Sequence, residues 1–171
     1  PWDFNRHETR EKARRLIRET KPFVVIGSPP CTMFCAMQNL SKNARDEAKF
    51  QKKLEAAKGH IRFCVELYKM QVRAGRFFIH EHPAGSSAWQ MGEICQLMLE
   101  DGVQLTSCDM CAFGMVSNDE DGTAPAQKRT KIMSNAHEVI KRIGRQCTNN
   151  DKDCKDEDKH RHVQLVAGRA K

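Results

Sequence analysis

The stretch FVVIGSPPCT, residues 23–32, decides how this sequence is interpreted. Its apolar, β-branched first half predicts a buried strand, which Pro29 and Pro30 end because neither can donate a ladder hydrogen bond. Cys31 follows at once. In open α/β folds, ligands bind outside the carboxyl ends of the strands, so this thiol is predicted to lie on a stiff loop at a binding edge. That placement suits a nucleophile.

Helical and strand patterns alternate around this stretch. Apolar residues recur at steps of three and four over residues 44–74, which predicts a long helix with one buried face, and Gly75 is placed to cap it. Strands separated by helices predict an α/β sandwich with a mostly parallel sheet. Only four strands are visible, so we expect part of a Rossmann-like fold. The other predicted elements are helices over residues 6–20 and 88–100, strands over residues 76–80, 103–106 and 129–133, and a loop over residues 117–123.

Length and composition indicate one globular domain. The chain has 171 residues, of which 39% are hydrophobic and 30% charged, enough to bury a core. Residues 1–147 carry the alternating pattern, whereas residues 148–171 are mostly polar and are expected to form a mobile segment. Because the first residue is Pro1 and not methionine, we expect the chain to be a piece of a longer protein.

Charge and cysteine content indicate the kind of binding partner and the cellular compartment to expect. A net charge of +7 and a pI near 9.1 favour an anionic partner, with nucleic acid, DNA or RNA, as the first candidate. No apolar run reaches the length of a membrane span, so no membrane partner is expected. Several of the eight cysteines lie within helix and strand patterns, which favours the reduced thiols of an intracellular protein over a disulfide framework.

Three segments carry a resemblance to a known family. They are SPPC at residues 28–31, FIHEHP at residues 78–83 and PAQKRTK at residues 125–131, the last preceded by Phe-Gly at residues 113–114. In this order they resemble the DNA (cytosine-5) methyltransferases. That family has a Pro-Pro-Cys loop after one strand, a Glu-Asn-Val segment at the end of the next, and a later Gln-x-Arg-x-Arg segment. The resemblance spans about residues 1–135.

The resemblance implies a site and a reaction. Cys31 would be the nucleophile, Glu81 the acid at cytosine N3, and Arg129 the group that holds the carbonyl oxygen of the base. Thiolate attack on C6 makes C5 enamine-like, so that it can take a methyl group from S-adenosylmethionine. The target cytosine would be flipped out of the duplex, and basic residues would contact the phosphates. The implied substrate-binding residues are Pro29, Pro30, Gln127 and Lys131.

The sequence also departs from the family pattern. His82 and Pro83 replace the Asn-Val pair, and Lys131 replaces the last arginine. No glycine-rich methyl-donor loop precedes the first strand, although Asp3 and Phe4 resemble a remnant of a cofactor-contacting loop. We therefore expect little methyl transfer from this chain alone. A second hypothesis follows, in which the same fold binds nucleic acid without turnover.

A metal site is the third hypothesis, and it would make the chain a zinc-stabilised structural domain. A Cys-x-x-Cys pair precedes further cysteines and two histidines that would share one face of a strand, a donor set that suits tetrahedral zinc. The loose spacing of the later cysteines and the polar character of the tail argue against it, so the interpretation without a metal is preferred. The candidate ligands are Cys108, Cys111, Cys147, Cys154, His160 and His162.

Overall fold

The computed structural model describes residues 2–35, 38, 46–149, 159–163, 165–166 and 169–170. Cys154 and residues 150–158 of the predicted mobile segment lie outside the described residues. None of the described helices combines the length and the hydropathy that crossing a membrane requires. The helices are α1 His7–Thr20, α2 Glu47–Arg73, α3 Gly92–Met98 and α4 His137–Ile143. The strands are β1 Val24–Gly27, β2 Phe77–Pro83, β3 Gln104–Asp109, β4 Val116–Asp119, β5 Gly122–Pro125, β6 Arg129–Ser134, β7 Leu165–Val166 and β8 Arg169–Ala170.

The main sheet is mixed and has the order β1-β2-β6-β3. Strands β1 and β2 pair in parallel, whereas β6 is antiparallel to both β2 and β3. The α/β class is therefore as predicted, but a mostly parallel sheet is not shown, because one of these three pairings is parallel. Periodicity predicted strand β6 correctly but carries no information on strand direction. Because β6 lies antiparallel beside β3, the chain joins them without a crossover helix.

Helix α2 packs on one face of this sheet. The tyrosine ring of Tyr68 stacks on Phe78 of β2, with ring centroids 4.7 Å apart, and both side chains are fully buried. Helix α1 covers α2 in turn, with Ile17 against Phe63 in a second apolar cluster. Helix α2 ends as the sequence predicts, since Gly75 follows its last turn with φ of 65°, a value that glycine adopts without strain.

Three parts of the described structure were not predicted from the sequence. The polar stretch assigned to a loop forms the hairpin β4–β5, helix α4 follows β6, and β7 pairs with β8 in the segment expected to be mobile. The predicted helix over residues 88–100 is split into a 3-10 turn, Ser87–Gln90, and helix α3. The described part of the tail packs against the domain. The Val163 amide donates to the Pro125 carbonyl at 2.9 Å, and the Val163 side chain is buried.

Candidate functional site

The first candidate site lies where β1 and β2 end. The Ser28 hydroxyl, just after β1, donates a hydrogen bond to the Glu81 carboxylate on β2. Cys31 lies three residues further along the same loop, is half-buried, and begins the 3-10 turn Thr32–Phe34 through a 2.9 Å bond from the Phe34 amide to its carbonyl. Pro29 is buried and Pro30 is exposed. The Pro-Pro-Cys loop and the glutamate are thus linked by a direct hydrogen bond.

Close packing beneath this loop fixes where it leaves the sheet. A Cβ atom added at Gly27, the last residue of β1, would lie 1.9 Å from the Tyr68 hydroxyl oxygen. That hydroxyl is in turn 3.0 Å from Nδ1 of His80 on β2. Glycine is therefore required at the end of β1 for packing, and the loop begins from a rigid point.

The cation nearest Glu81 is one that the sequence did not single out. Lys128 Nζ lies 3.6 Å from the Glu81 carboxylate, whose side chain is 24% exposed. In the β2–β6 register, Glu81 is opposite Ile132 and His82 is opposite Lys131. Since side chains alternate along a strand, Lys131 projects from the other face of the sheet.

Arg129 makes a bidentate ion pair with a buried carboxylate. Its Nε and one terminal nitrogen each lie 2.9 Å from an Asp109 oxygen, and Asp109 is fully buried while Arg129 is 53% exposed. The guanidinium lowers the pKa of Asp109, against the effect of burial and with smaller contributions from the Cys147 amide and the Gln127 side chain. Arg129 and Gln127 are thus brought together around Asp109, and their roles toward a base stay predictions.

Lys131 points toward an aromatic-lined cavity of about 720 Å³. Its Nζ lies 5.9 Å from the Trp89 ring centroid, and Phe34 and Ser87 also line the space. Neither Cys31 nor Glu81 is among the lining residues, so the cavity lies beside the predicted nucleophile loop and does not contain it.

Two buried histidines support the strand that carries Glu81. His80 and His82 project from the helix-covered face of β2, with parallel rings 5.8 Å apart and Trp89 edge-on to both. Burial lowers the pKa of His80 to about 3, with a smaller contribution from His82, and burial also lowers the pKa of His82. Neither ring nitrogen of His82 has a hydrogen-bond partner among the described residues.

The weakest of the predicted site residues are occupied elsewhere. The Asp3 carboxylate accepts hydrogen bonds from the backbone and side-chain nitrogens of Asn5, both at 3.0 Å. The Phe4 ring packs against Phe63 and His60 of α2, with centroids 5.3 and 5.6 Å away. A role for Asp3 and Phe4 in binding a methyl donor stays a prediction.

The second candidate site is a cluster of four metal-ligand side chains. Cys111, Cys147, His160 and His162 are all half-buried, and their ligand atoms lie within 4.8 Å of one another. The Cys147 sulfur lies 3.5 Å from Nε2 of His160 and 3.4 Å from Nε2 of His162, and these two nitrogens are 3.0 Å apart. Four of the six ligands proposed from the sequence are therefore brought together.

The other two proposed ligands are not part of this cluster. Cys108 is buried within β3, opposite Thr130 of β6, whereas Cys111 lies beyond the strand in the 3-10 turn Met110–Phe113. Cys154 lies outside the described residues. The Cys-x-x-Cys spacing therefore contributes one ligand to the cluster, because the strand end separates its two thiols.

Comparison with known proteins adds no assignment to either site. The chain matches no family model, no curated protein and no solved structure. Any function must therefore be argued from the two sites themselves.

Proposed function

We propose that this chain is a DNA cytosine-5 methyltransferase-like catalytic domain, in which Cys31 adds covalently to C6 of a flipped cytosine. The hydrogen bond from Ser28 to Glu81 supports this function most directly, because it joins the nucleophile loop to the predicted acid. The net charge of +7 favours a polyanionic substrate. S-adenosylmethionine would supply the methyl group in a complete enzyme, and RNA is the alternative substrate.

The chemistry follows from the groups at the sheet edge. The Cys31 thiolate forms a bond to C6, the C5–C6 double bond opens, and Glu81 donates a proton to N3, which leaves an enamine at C5. Without a methyl donor, C5 takes a proton from water and then loses its original hydrogen, and elimination of the thiolate with return of the N3 proton to Glu81 restores the base. Lys128 lies beside Glu81 and can neutralise the carboxylate after the proton has left.

Exchange of the C5 hydrogen tests this proposal without requiring a donor site. Duplex DNA with tritium at cytosine C5 is incubated with the full chain, and label released to water is counted. We expect release by the wild type, and a loss on the order of 10³-fold or more in Cys31→Ser, as expected for removal of a nucleophile. Cys35→Ser is the matched control, because Cys35 is an exposed thiol four residues away. Equal release by Cys31→Ser and wild type would exclude the covalent mechanism.

A nucleic-acid-binding module without turnover is the second candidate function. His82 favours it, because this residue occupies the position where the family has asparagine beside the glutamate, and neither of its ring nitrogens has a hydrogen-bond partner within the described part of the chain. In that case the wild type and Cys31→Ser would bind DNA equally well, and neither would release label.

A further inference from the structure

We propose that Cys111, Cys147, His160 and His162 bind one zinc ion, which anchors the tail to the domain and holds the Asp109–Arg129 pair in place. This site is separate from the Cys31 chemistry and does not depend on it. It would give the domain a structural metal in addition to the proposed catalytic thiol.

The distances among three of the four ligand atoms are close to those around a tetrahedral zinc ion, and the Cys111 sulfur lies within 4.8 Å of each of them. Zn–S bonds of about 2.3 Å and Zn–N bonds of about 2.05 Å give tetrahedral edges of about 3.5 Å from sulfur to nitrogen and about 3.3 Å between nitrogens. The observed separations are 3.5 and 3.4 Å for Cys147 to the two histidines and 3.0 Å between the histidines. Two thiols and two imidazoles are also a donor set that selects zinc over magnesium or calcium.

Contacts outside the cluster hold three of the four ligands in position. The Cys147 amide donates to an Asp109 oxygen at 2.9 Å, and the His160 amide donates to the Asn149 side chain at 2.7 Å. On the other side of His162, the amide of Val163 is bonded to the Pro125 carbonyl at 2.9 Å. The ligands therefore come from three separated segments that other interactions already bring together, as a preformed site requires.

The same contacts couple the cluster to Arg129. The Asp109 carboxylate accepts both from the Cys147 amide and from the Arg129 guanidinium. A metal that fixes Cys147 therefore also fixes the carboxylate that orients Arg129. Zinc loss is thus expected to loosen the Asp109–Arg129 pair as well as to destabilise the fold.

Metal content tests the proposal directly. The full chain, purified under reducing conditions without added chelator, is analysed by native mass spectrometry and elemental analysis. We expect one zinc per chain, and a fall in melting temperature of roughly 10 °C or more when a chelator removes it, because the metal binds only the folded state. Cys111→Ser and His162→Gln should lose the metal. Cys95→Ser and His137→Gln, which change exposed residues of the same types, should retain it.

Cobalt substitution keeps the proposal testable if the ligand variants fail to fold. Wild-type protein loaded with Co²⁺ should show the visible absorption of a tetrahedral thiolate site, and zinc should displace it. A folded wild-type protein that binds neither metal would overturn the proposal, and so would zinc retained by both ligand variants. A disulfide between Cys111 and Cys147 in the reduced preparation would also overturn it.

Discussion

The two candidate sites differ in how the chain builds them. The Cys31–Glu81 site uses the ends of two adjacent parallel strands, and one hydrogen bond, from the Ser28 hydroxyl to the Glu81 carboxylate, joins the Cys31 loop to β2. The proposed zinc cluster draws its ligands from a turn after β3, a segment after α4 and the tail. The first site carries distinctive sequence motifs but few contacts, whereas the second has weak motifs but brings four metal-ligand side chains together. Motif strength and geometric completeness are therefore independent kinds of evidence in this molecule.

Glu81→Gln should have the largest effect among the variants that separate the two sites. The amide cannot donate the proton to cytosine N3, so C5 hydrogen exchange should fall by about 10²- to 10⁴-fold. Zinc content should not change, because Glu81 is not among the cluster residues. Glu100→Gln, at an exposed position after α3, is the control and should exchange like the wild type. Equal exchange by Glu81→Gln and Glu100→Gln would remove Glu81 from the mechanism.

Asp109→Asn should destabilise the protein, because Asp109 links the metal-ligand cluster to Arg129. It removes the buried charge that pairs with Arg129 and accepts from the Cys147 amide, so we expect a loss of about 2–3 kcal/mol in the free energy of unfolding. Chemical denaturation measures this loss. Glu138→Gln is the control, because it breaks an exposed ion pair on α4 and should cost less than about 0.5 kcal/mol. Similar losses in both variants would contradict the coupling.

Acid should lower the free energy of unfolding, because the buried His80 lies on β2, the strand that carries Glu81. His80 has a pKa of about 3 in the folded protein against an ordinary value near 6.5, so its contribution to stability is complete above pH 6.5 and is lost progressively as pH falls toward 3. At pH 5 the loss is about 2 kcal/mol in the free energy of unfolding.

Two variants attribute this pH dependence to His80. His80→Phe keeps an aromatic ring without a titrating nitrogen, so the slope of stability between pH 6.5 and 5 should become shallower. His7→Gln changes a histidine whose side chain is 81% exposed and should keep the wild-type slope. An unchanged slope in His80→Phe would mean that another group titrates.

Much of the fold could be predicted because its signals are local. The strand before Pro29 and the helix that Gly75 caps follow from apolar periodicity and from backbone-specific residues, and both are present. The burial predicted for that strand is wrong, because β1 lies at the edge of the sheet and Ile26 is 67% exposed. The direction of β6 could not be predicted, since an alternating pattern is the same in either direction. The β4–β5 hairpin was wrongly assigned to a loop, because its exposed strands lack an apolar face.

In the candidate sites, too, the features that depend on local sequence could be predicted, and those that depend on strand register or strand ends could not. The Cys31 loop follows β1 and Glu81 lies near the end of β2, so the contact between that loop and Glu81, made by Ser28, could be predicted from topology. Lys128 was missed because its position beside Glu81 depends on the register of β6. Choosing Cys111 over Cys108 required knowing the residue at which β3 ends.

Addition of Cys31 to a pyrimidine ring is the most direct test of the central claim. Duplex DNA carrying 2-pyrimidinone in place of the target cytosine is mixed with the full chain, and the near-ultraviolet absorption of the modified base is followed, because thiol addition at C6 breaks its conjugation. We predict a stoichiometric loss of absorption with the wild type and Cys35→Ser, and none with Cys31→Ser. An unchanged absorption with DNA-bound wild type, or an equal loss with Cys31→Ser, would contradict the assignment of Cys31 as the nucleophile.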